Sequence, residues 1–467
     1  MRYFAVLESL DGDVDQEHVY LDCISQETFS VMRRVGGLAQ FSSEQADEYM
    51  GAVLQVRRES FAPSLLDRIN NASVRIWFTL TVSEVRDDAA AVDIPATFVS
   101  LAPTAADAEA ITLYISRPEA LDADTQAAAE RIFDATQLAP NSFERFARRL
   151  EKLFASEGRR HVVAYHVGQG NCNAVVDEHE HPVLFFDLGW PIQTNIAGAP
   201  NPPPQLFDVQ SDAGIAPVVL SHWDWDHWAY ALESWRYDRA RGAPFATWKS
   251  AALHRPWLVP APEKAMKLGP SHYLLILKLY HQRWEGRRAL HFWSRRKSMW
   301  ETGNLTLLKC STKKRDVSYR NNSGLAMVVR IDDGWKRGLV LLPGDCEFDS
   351  IQFDRVSSWD SRRIVAMVAS HHGGKLNVFA IPETTVSDAR LVISSGKNRY
   401  GHPNSRMLDN YRLQGWHDQQ HTNSWHHRPR MLSLVPRIGA TLVQPVSFDK
   451  PRCECEGIPD ANMSLGI

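Results

Sequence analysis

The chain has 467 residues, too many for one ordinary domain, with 44% apolar, 23% charged and 10% aromatic residues. That composition excludes collagenous, low-complexity and wholly disordered chains. No run reaches the roughly 18 uninterrupted apolar residues of a membrane helix, so no membrane partner is expected. The N-terminus turns acidic before a signal core can form, and six scattered Cys make no disulfide framework. A cytoplasmic protein is expected. The net charge of −3 hides an asymmetry: residues 1–155 hold 25 Asp and Glu against 14 Lys and Arg. Residues 281–320 hold 11 Lys and Arg against three acids.

In chain order, residues 43–56 and 124–137 carry apolar residues at helical spacing, while 73–85 and 96–102 are rich in β-branched and aromatic residues, as strands are. Residues 141–156 predict a helix that Asn141 or Ser142 can cap, with Phe143, Phe146, Leu150 and Phe154 on one face. No catalytic motif falls here. Residues 1–157 therefore read as an α+β domain for recognition or scaffolding, and a protein partner is conceivable there. From about 160 the pattern changes. Apolar strand-like runs at 161–176, 182–189, 217–228, 325–331, 338–345, 364–374 and 389–396 repeatedly deliver Gly, Asp, Ser or His at their ends. Strands buried on both faces with function at their ends describe a layered α/β or sheet-sandwich enzyme over 158–467, with 230–320 as an insertion.

The sharpest feature is Ser221-His222-Trp223-Asp224-Trp225-Asp226-His227. On an extended strand end, alternation points His222 and Asp224 the same way, with Asp226 and His227 just beyond. Four imidazoles and carboxylates in six residues ask for positive charge among them, and one or two divalent metals supply it. A solvated polar loop would explain the polar residues but not Trp223, Trp225 and Trp228. Asp345 has two oxygens with which to bridge cations about 3.5–4 Å apart. His371, His372 and His402 also end or follow apolar runs.

These motifs together resemble the metallo-β-lactamase superfamily, and are most similar to its branch with the ComEC-type hydrolase domain and the phosphorylcholine esterase. The residues that carry the resemblance are His166 to Cys172, Asp187-Leu188-Gly189, His222 to His227, Pro343-Gly344-Asp345, Ser370 to Gly373 and Asn398 to Pro403. They cover roughly 161–230 and 320–440. His166 and Asn171 stand where the branch has Asp, and Asp224 where the commonest superfamily pattern has His.

The resemblance implies an αββα sandwich and two divalent metals. One would be held by His222, Asp224, His371 and Asp345, the other by Asp226, His227, His402 and the same Asp345. Whichever of His371 and His372 is not a ligand would face the substrate; His372 is assigned that catalytic role beside Asp226 and Asp345. The nucleophile would be a hydroxide bridging the metals. Zn²⁺ is the expected ion, with Mn²⁺ as its rival because Asp224 hardens the first site. Lys375, Lys397 and Asn398 are candidates for binding a phosphate oxygen, or are surface residues.

The branch acts on phosphodiesters, and the basic run 281–320 interleaves cations with Trp284, His291, Phe292, Trp293, Trp300 and Tyr319, as single-stranded nucleic acid binding requires. The alternatives for the same run are a solvated face or a docking site for the acidic N-terminal part. The expected function is thus a two-metal phosphodiesterase or nuclease. The alternatives are a hydrolase of small phosphodiesters or other esters, with the insertion as a lid, and a non-catalytic metal-binding regulator or complex subunit. His417, His421 and His426 could hold a further metal or form a polar loop. Cys453 and Cys455 read as incidental, and Cys172 and Cys346 as small buried hydrophobes, with oxidation sensing the alternative at Cys346.

Overall fold

The computed structural model describes all residues except 9–16, 73, 90, 104–109, 141, 156–159, 193–198, 201–202, 204, 208–214, 313–317, 333–336, 357–358, 397–400, 423–430 and 434–467. Six N-terminal strands close on themselves: β1 (Arg2–Glu8), β2 (His18–Ser25), β3 (Gly51–Arg57), β4 (Trp77–Ser83), β5 (Val92–Phe98) and β6 (Ile111–Ser116). They pair antiparallel in the order β1-β2-β3-β5-β6-β4, and β4 returns to β1, with Ala5 opposite Phe78. A two-residue β7 (Glu119–Ala120) hangs on β4. Around them lie α1 (Gln26–Val35), α2 (Ser43–Asp47), α3 (Pro63–Asn71) and α4 (Ala123–Ile132).

The N-terminal part is therefore a closed barrel with peripheral helices, not the expected α+β arrangement. The physical reason lies in burial. β1 to β4 are buried at nearly every position, so they lack the alternation by which a half-exposed strand is recognised. β6, with one face in water, does alternate. The expected helix 43–56 is split: α2 ends at Asp47 and β3 begins at Gly51, where β-branched Val53 and Val56 enter the barrel core.

The predicted helix 141–156 is α5 (Phe143–Phe154), and it buries the expected face. Ser142 stands at its N-cap but makes no side-chain capping bond. Two seven-stranded mixed sheets follow. The first contains β8 (His161–Tyr165), β9 (Asn173–Val176), β10 (Pro182–Phe186) and β11 (Val218–Val219). After the hairpin β12 (Leu232–Asp238) and β13 (Ala243–Trp248) and the short helix α6 (Ser250–Leu253), this sheet gains β14 (Trp257–Val259). Helix α7 (Pro270–His281) and the small hairpin β15 (Arg283–Trp284) and β16 (Arg287–Arg288) precede β17 (Leu290–Phe292), also in the first sheet.

The second sheet takes β18 (Met299–Thr302) and β19 (Leu305–Lys309). After helix α8 (Tyr319–Asn322) it adds β20 (Leu325–Asp332), β21 (Arg337–Leu342), β22 (Ile364–Val368) and β23 (Arg390–Ile393). Helix α9 (Ser405–Leu413) leads to its last strand, β24 (Asp418–His421), and β25 (Met431–Ser433) returns to pair with β8. Residues 230–320 thus supply two strands to each sheet.

The two sheets share a core: Val162, Val175, Phe186 and Val219 from one meet Leu307, Met327, Val340 and Val368 from the other, with the α5 aromatics beside them. The αββα sandwich is nevertheless not formed. Among the described residues of this half, α6 and α8 have four residues each, and α7 packs on α2, β2 and β3 of the barrel. The outer face of the second sheet lies under short 3₁₀ turns such as Phe348–Ser350, with α9 as its one longer helix. Large buried rings in the connections, Trp190, Trp228 and Trp416 among them, cover sheet faces that an amphipathic helical layer would otherwise cover.

β10 and β11 run parallel, as do β21, β22 and β23. Their carboxyl ends lead into Asp187, the 221–227 segment, Asp345 and the 370–373 segment, which meet at one edge of the paired sheets.

Candidate metal centre

The backbone turns sharply where the strands end. Asp187, His371 and His372 adopt left-handed φ values of 68°, 50° and 53°, a region that branched and bulky residues seldom occupy. Gly373 continues this turn at φ 78°. Close approach does the rest: a Cβ on Gly189 would run into the Asp226 carbonyl, so only glycine lets that loop lie against the 221–227 segment.

Three imidazoles are oriented through their Nδ1 atoms. His372 Nδ1 donates to the Ser394 carbonyl at 2.7 Å, and His227 Nδ1 donates to Asp187 Oδ2 at 2.9 Å. The Ser221 hydroxyl donates to Asp187 at 2.8 Å, leaving its oxygen to accept from His222 Nδ1 at 3.0 Å. Each ring therefore turns Nε2 inward, the nitrogen that binds a metal once its proton has left. His222 Nε2, His227 Nε2, His372 Nε2 and Asp345 Oδ1 are all buried without a hydrogen-bond partner.

These atoms converge. His227 Nε2 lies 3.3 Å from Asp345 Oδ1, and the His222 and His372 Nε2 atoms lie 3.8 and 3.7 Å from Asp345 Oδ2. Asp224 Oδ2 is 3.4 Å from His222 Nε2, and Asp226 Oδ2 is 3.2 Å from His372 Nε2. Two ligand atoms each about 2.1 Å from a tetrahedral cation stand roughly 3.4 Å apart, so the spacing fits a metal. An unsatisfied buried polar atom costs about 1–3 kcal/mol, and four facing one another are a strong physical demand for a cation. His222, His227 and Asp345 form one metal-ready group, and Asp226, His227 and His372 another.

The electrostatics agree. Burial alone would raise the Asp345 carboxyl, but His227 and His372 hold it well below the usual carboxylate range. Burial alone would lower His227 and His372, but Asp345, with Asp187 for His227 and Asp226 for His372, raises both. A divalent cation would take over the positive charge that protons supply to these rings.

His372, rather than His371, stands in the group. The His371 ring lies edge-on to His402 at 4.9 Å, and burial lowers the pKa of both. His402 sits behind Gly374, whose Cβ would lie 2.7 Å from His402 Nε2. Neither His371 nor His402 belongs to the two groups. Lys375 is exposed beyond this turn, whereas Lys397 and Asn398 lie outside the described residues.

Ser221 and Asp187 stand in the motifs without an assigned role, and they orient His222 and His227. Arg320 carries no motif signal, and it clamps Asp224. Its guanidinium, nearly wholly buried, reaches Asp224 Oδ1 at 3.0 Å, Glu8 of the barrel, and the Met266 carbonyl at 3.0 Å. Burial raises the Asp224 carboxyl, but His222 and Arg320 together bring it below its ordinary value. Behind Arg320, Glu8, Asp22 and His272 form a third acid–histidine group. Asp22 accepts from the Ser271 hydroxyl and amide, and Trp225 Nε1 donates to that hydroxyl at 2.8 Å. Arg320 already supplies positive charge there.

The basic run 281–320 is divided. Arg283, Arg287, Arg295 and Arg296 are exposed, Lys313 to Arg315 lie outside the described residues, and Arg320 is buried against Glu8. Its rings pack inward: Trp293 and Trp300 lie against Phe143, and His291 against Phe146. The Trp284 ring is covered by Arg149 at 4.0 Å. His417 and His421 join no metal-ready group among the described residues, and His426, Cys453 and Cys455 lie outside them. Cys172 and Cys346 are buried thiols.

No family model matches the chain, and no curated protein matches it. The site therefore speaks through its own geometry. Among the described residues no helix is long and apolar enough to cross a membrane.

Proposed function

We propose that the protein is a hydrolase that works on two divalent cations, Zn²⁺ or Mn²⁺, and that phosphodiesters are its substrates. The observation that carries this reading is the convergence of three Nδ1-anchored imidazoles and Asp345 on one point, with four buried atoms lacking hydrogen-bond partners. His222, Asp224, Asp226, His227, Asp345 and His372 would hold the cations, with Asp345 between the two groups. Cations bound there acidify water and offset charge on a phosphoryl oxygen.

The chain's own residues do the rest. Asp187 and Ser221 hold the Nδ1 atoms of His227 and His222, which aims their Nε2 atoms inward. Arg320 holds Asp224 with one oxygen turned to His222. His371 and His402, both favoured as neutral rings, lie beside the centre where a leaving group would need a proton donor or acceptor. Exposed Arg283, Arg287, Arg295 and Arg296 offer charge to a phosphate backbone, which makes nucleic acid the first polymer to test. Cytoplasmic placement belongs to the same reading, because the four described cysteines are buried free thiols.

Elemental analysis should give about two metals per chain after reconstitution, as two-metal sites require. Cleavage of single- and double-stranded DNA and RNA should then be lost in Asp226→Ala. Fewer than one metal per chain would overturn the two-cation reading. Loaded protein that cleaves small phosphodiesters but no polymer would overturn the nucleic acid part alone.

A further inference from the structure

Asp224 and Asp226 stand close together on one segment, yet they meet the metal centre differently. Asp226 joins His227 and His372 in a metal-ready group, with its Oδ2 3.2 Å from His372 Nε2. Asp224 joins no such group, although its Oδ2 lies 3.4 Å from His222 Nε2. The difference is a guanidinium. Arg320 Nη1 donates to Asp224 Oδ1 at 3.0 Å, whereas the ion partners of Asp226 among the described residues are His227 and His372.

The same nitrogen serves a second carboxylate. Nη1 also donates to Glu8 Oε1, at the end of β1 in the barrel. Nε and Nη2 of Arg320 are taken by the Met266 and Lys267 carbonyls, at 3.0 and 3.3 Å, and these bonds keep Nη1 between the two acids. Arg320 and Glu8 are both nearly wholly buried, where water screens their charges little. The positive charge at Nη1 is thus divided between a carboxylate of the barrel and a carboxylate of the metal centre. A carboxylate whose charge is offset by a buried guanidinium attracts a cation less, and Asp224 has one oxygen engaged in that bond.

We propose that the barrel sets the affinity of the first cation site: Arg320 competes with the cation for Asp224, and Glu8 draws Arg320 off. The site of His222 and Asp224 is then the weaker of the two and fills after the site of Asp226 and His372. At limiting metal, the N-terminal barrel decides how completely the centre is loaded. This inference rests on the two-cation part of the proposed function and not on its substrate.

The test is stepwise Zn²⁺ titration of the metal-stripped full chain against a chromophoric chelator, a readout independent of cleavage. Wild type should bind in two unequal steps, with the tighter one lost in Asp226→Ala. Glu8→Gln leaves Asp224 as the one anionic partner of Nη1 and should weaken the weaker step. Glu8→Gln combined with Arg320→Met releases Asp224 and should tighten that step. Each shift should be about tenfold, the low end of what groups behind a metal ligand exert, with the tighter step unmoved. In an Asp224→Asn background Glu8→Gln should shift neither step, an outcome that a change of distant charge or of general stability would not reproduce. Should the double variant fail to fold, the sign of the Glu8→Gln shift decides. Two equal steps, a weaker step indifferent to Glu8→Gln, or one tightened by it would overturn the proposal. Fewer than one Zn²⁺ per chain would overturn it together with the two-cation reading.

Discussion

Both oxygens of Asp187 point away from solvent, one to the Ser221 amide at 2.6 Å and the other to the Ser221 hydroxyl and His227. A carboxylate in that place accepts every bond offered, whereas the side-chain amide nitrogen of an asparagine would meet donors. Asp187→Asn is therefore expected to weaken metal binding by about 10- to 100-fold, measured by competition with a chromophoric chelator. Unchanged affinity would mean that the orientation of His227 does not matter. Arg320 poses the opposite case. Arg320→Met leaves Glu8 and Asp224 without their shared cation and is expected to cost about 3–5 kcal/mol in chemical denaturation. Adding Glu8→Gln should recover part of that loss, and if it recovers none, the pair is not the cause. The converging side chains were legible because most stand together in the 221–227 segment or at strand ends, although His371 and His402, expected among them, join neither group. Ser394 and Arg320 were not, because their roles arise from contacts between distant parts of the chain. The 281–320 charge pattern did not set Arg320 apart from its exposed neighbours, although its contact with Glu8 is of the kind expected for docking the acidic N-terminal part.

Helix α7 meets strand β2 through a pair of groups whose titrations oppose each other. Burial lifts the Asp22 carboxyl from 3.8 to about 7, so the folded chain keeps a proton that the unfolded chain has released. Its contribution to stability is greatest below pH 3.8 and declines as pH rises toward 7. Burial lowers His272 from 6.5 to about 4, so the unfolded chain takes up a proton that the folded chain refuses. That contribution is full above pH 6.5 and is lost as pH falls toward 4. Between pH 4 and 6.5 the two slopes offset each other. Asp22→Asn should leave stability that climbs with pH across this window, and His272→Gln should leave stability that falls, both read from denaturation midpoints. Identical slopes in the two variants would refute the account. At this scale the sequence showed strands where composition was β-rich, as in β4, and showed α5 by its aromatic face. It did not show β1 and β2, because full burial removes alternation. It also joined β8 and β9 into one run, although the 166–172 loop folds the second strand back on the first.

The barrel and the two sheets are not separable bodies in terms of packing. One hydrophobic cluster runs from Phe4, Leu21 and Val53 of the barrel through Leu274 and Leu277 of α7 to Val163, Phe185 and Val218 of the first sheet. Polar ties cross the same boundary, from Asp22 to Ser271, from Glu8 to Arg320 and from Tyr49 to the Pro270 carbonyl. The change of composition near residue 160 marks where the chain leaves the barrel, but composition does not report that α7, more than a hundred residues later, returns to cover it. A cluster shared in this way couples the unfolding of both halves. The full chain should melt in one cooperative calorimetric transition, and residues 1–157 expressed alone should expose the apolar surface that α7 covers and bind a hydrophobic dye. Two resolved transitions, or a monomeric 1–157 fragment that binds no dye, would show that the shared cluster does not join the halves. Chelation refines the same measurement. If the four unpartnered atoms of the metal centre face cations in the working protein, removing metal should lower that single transition as a whole, because the centre draws its side chains from both sheets and its clamp, Arg320, is held by Glu8 of the barrel.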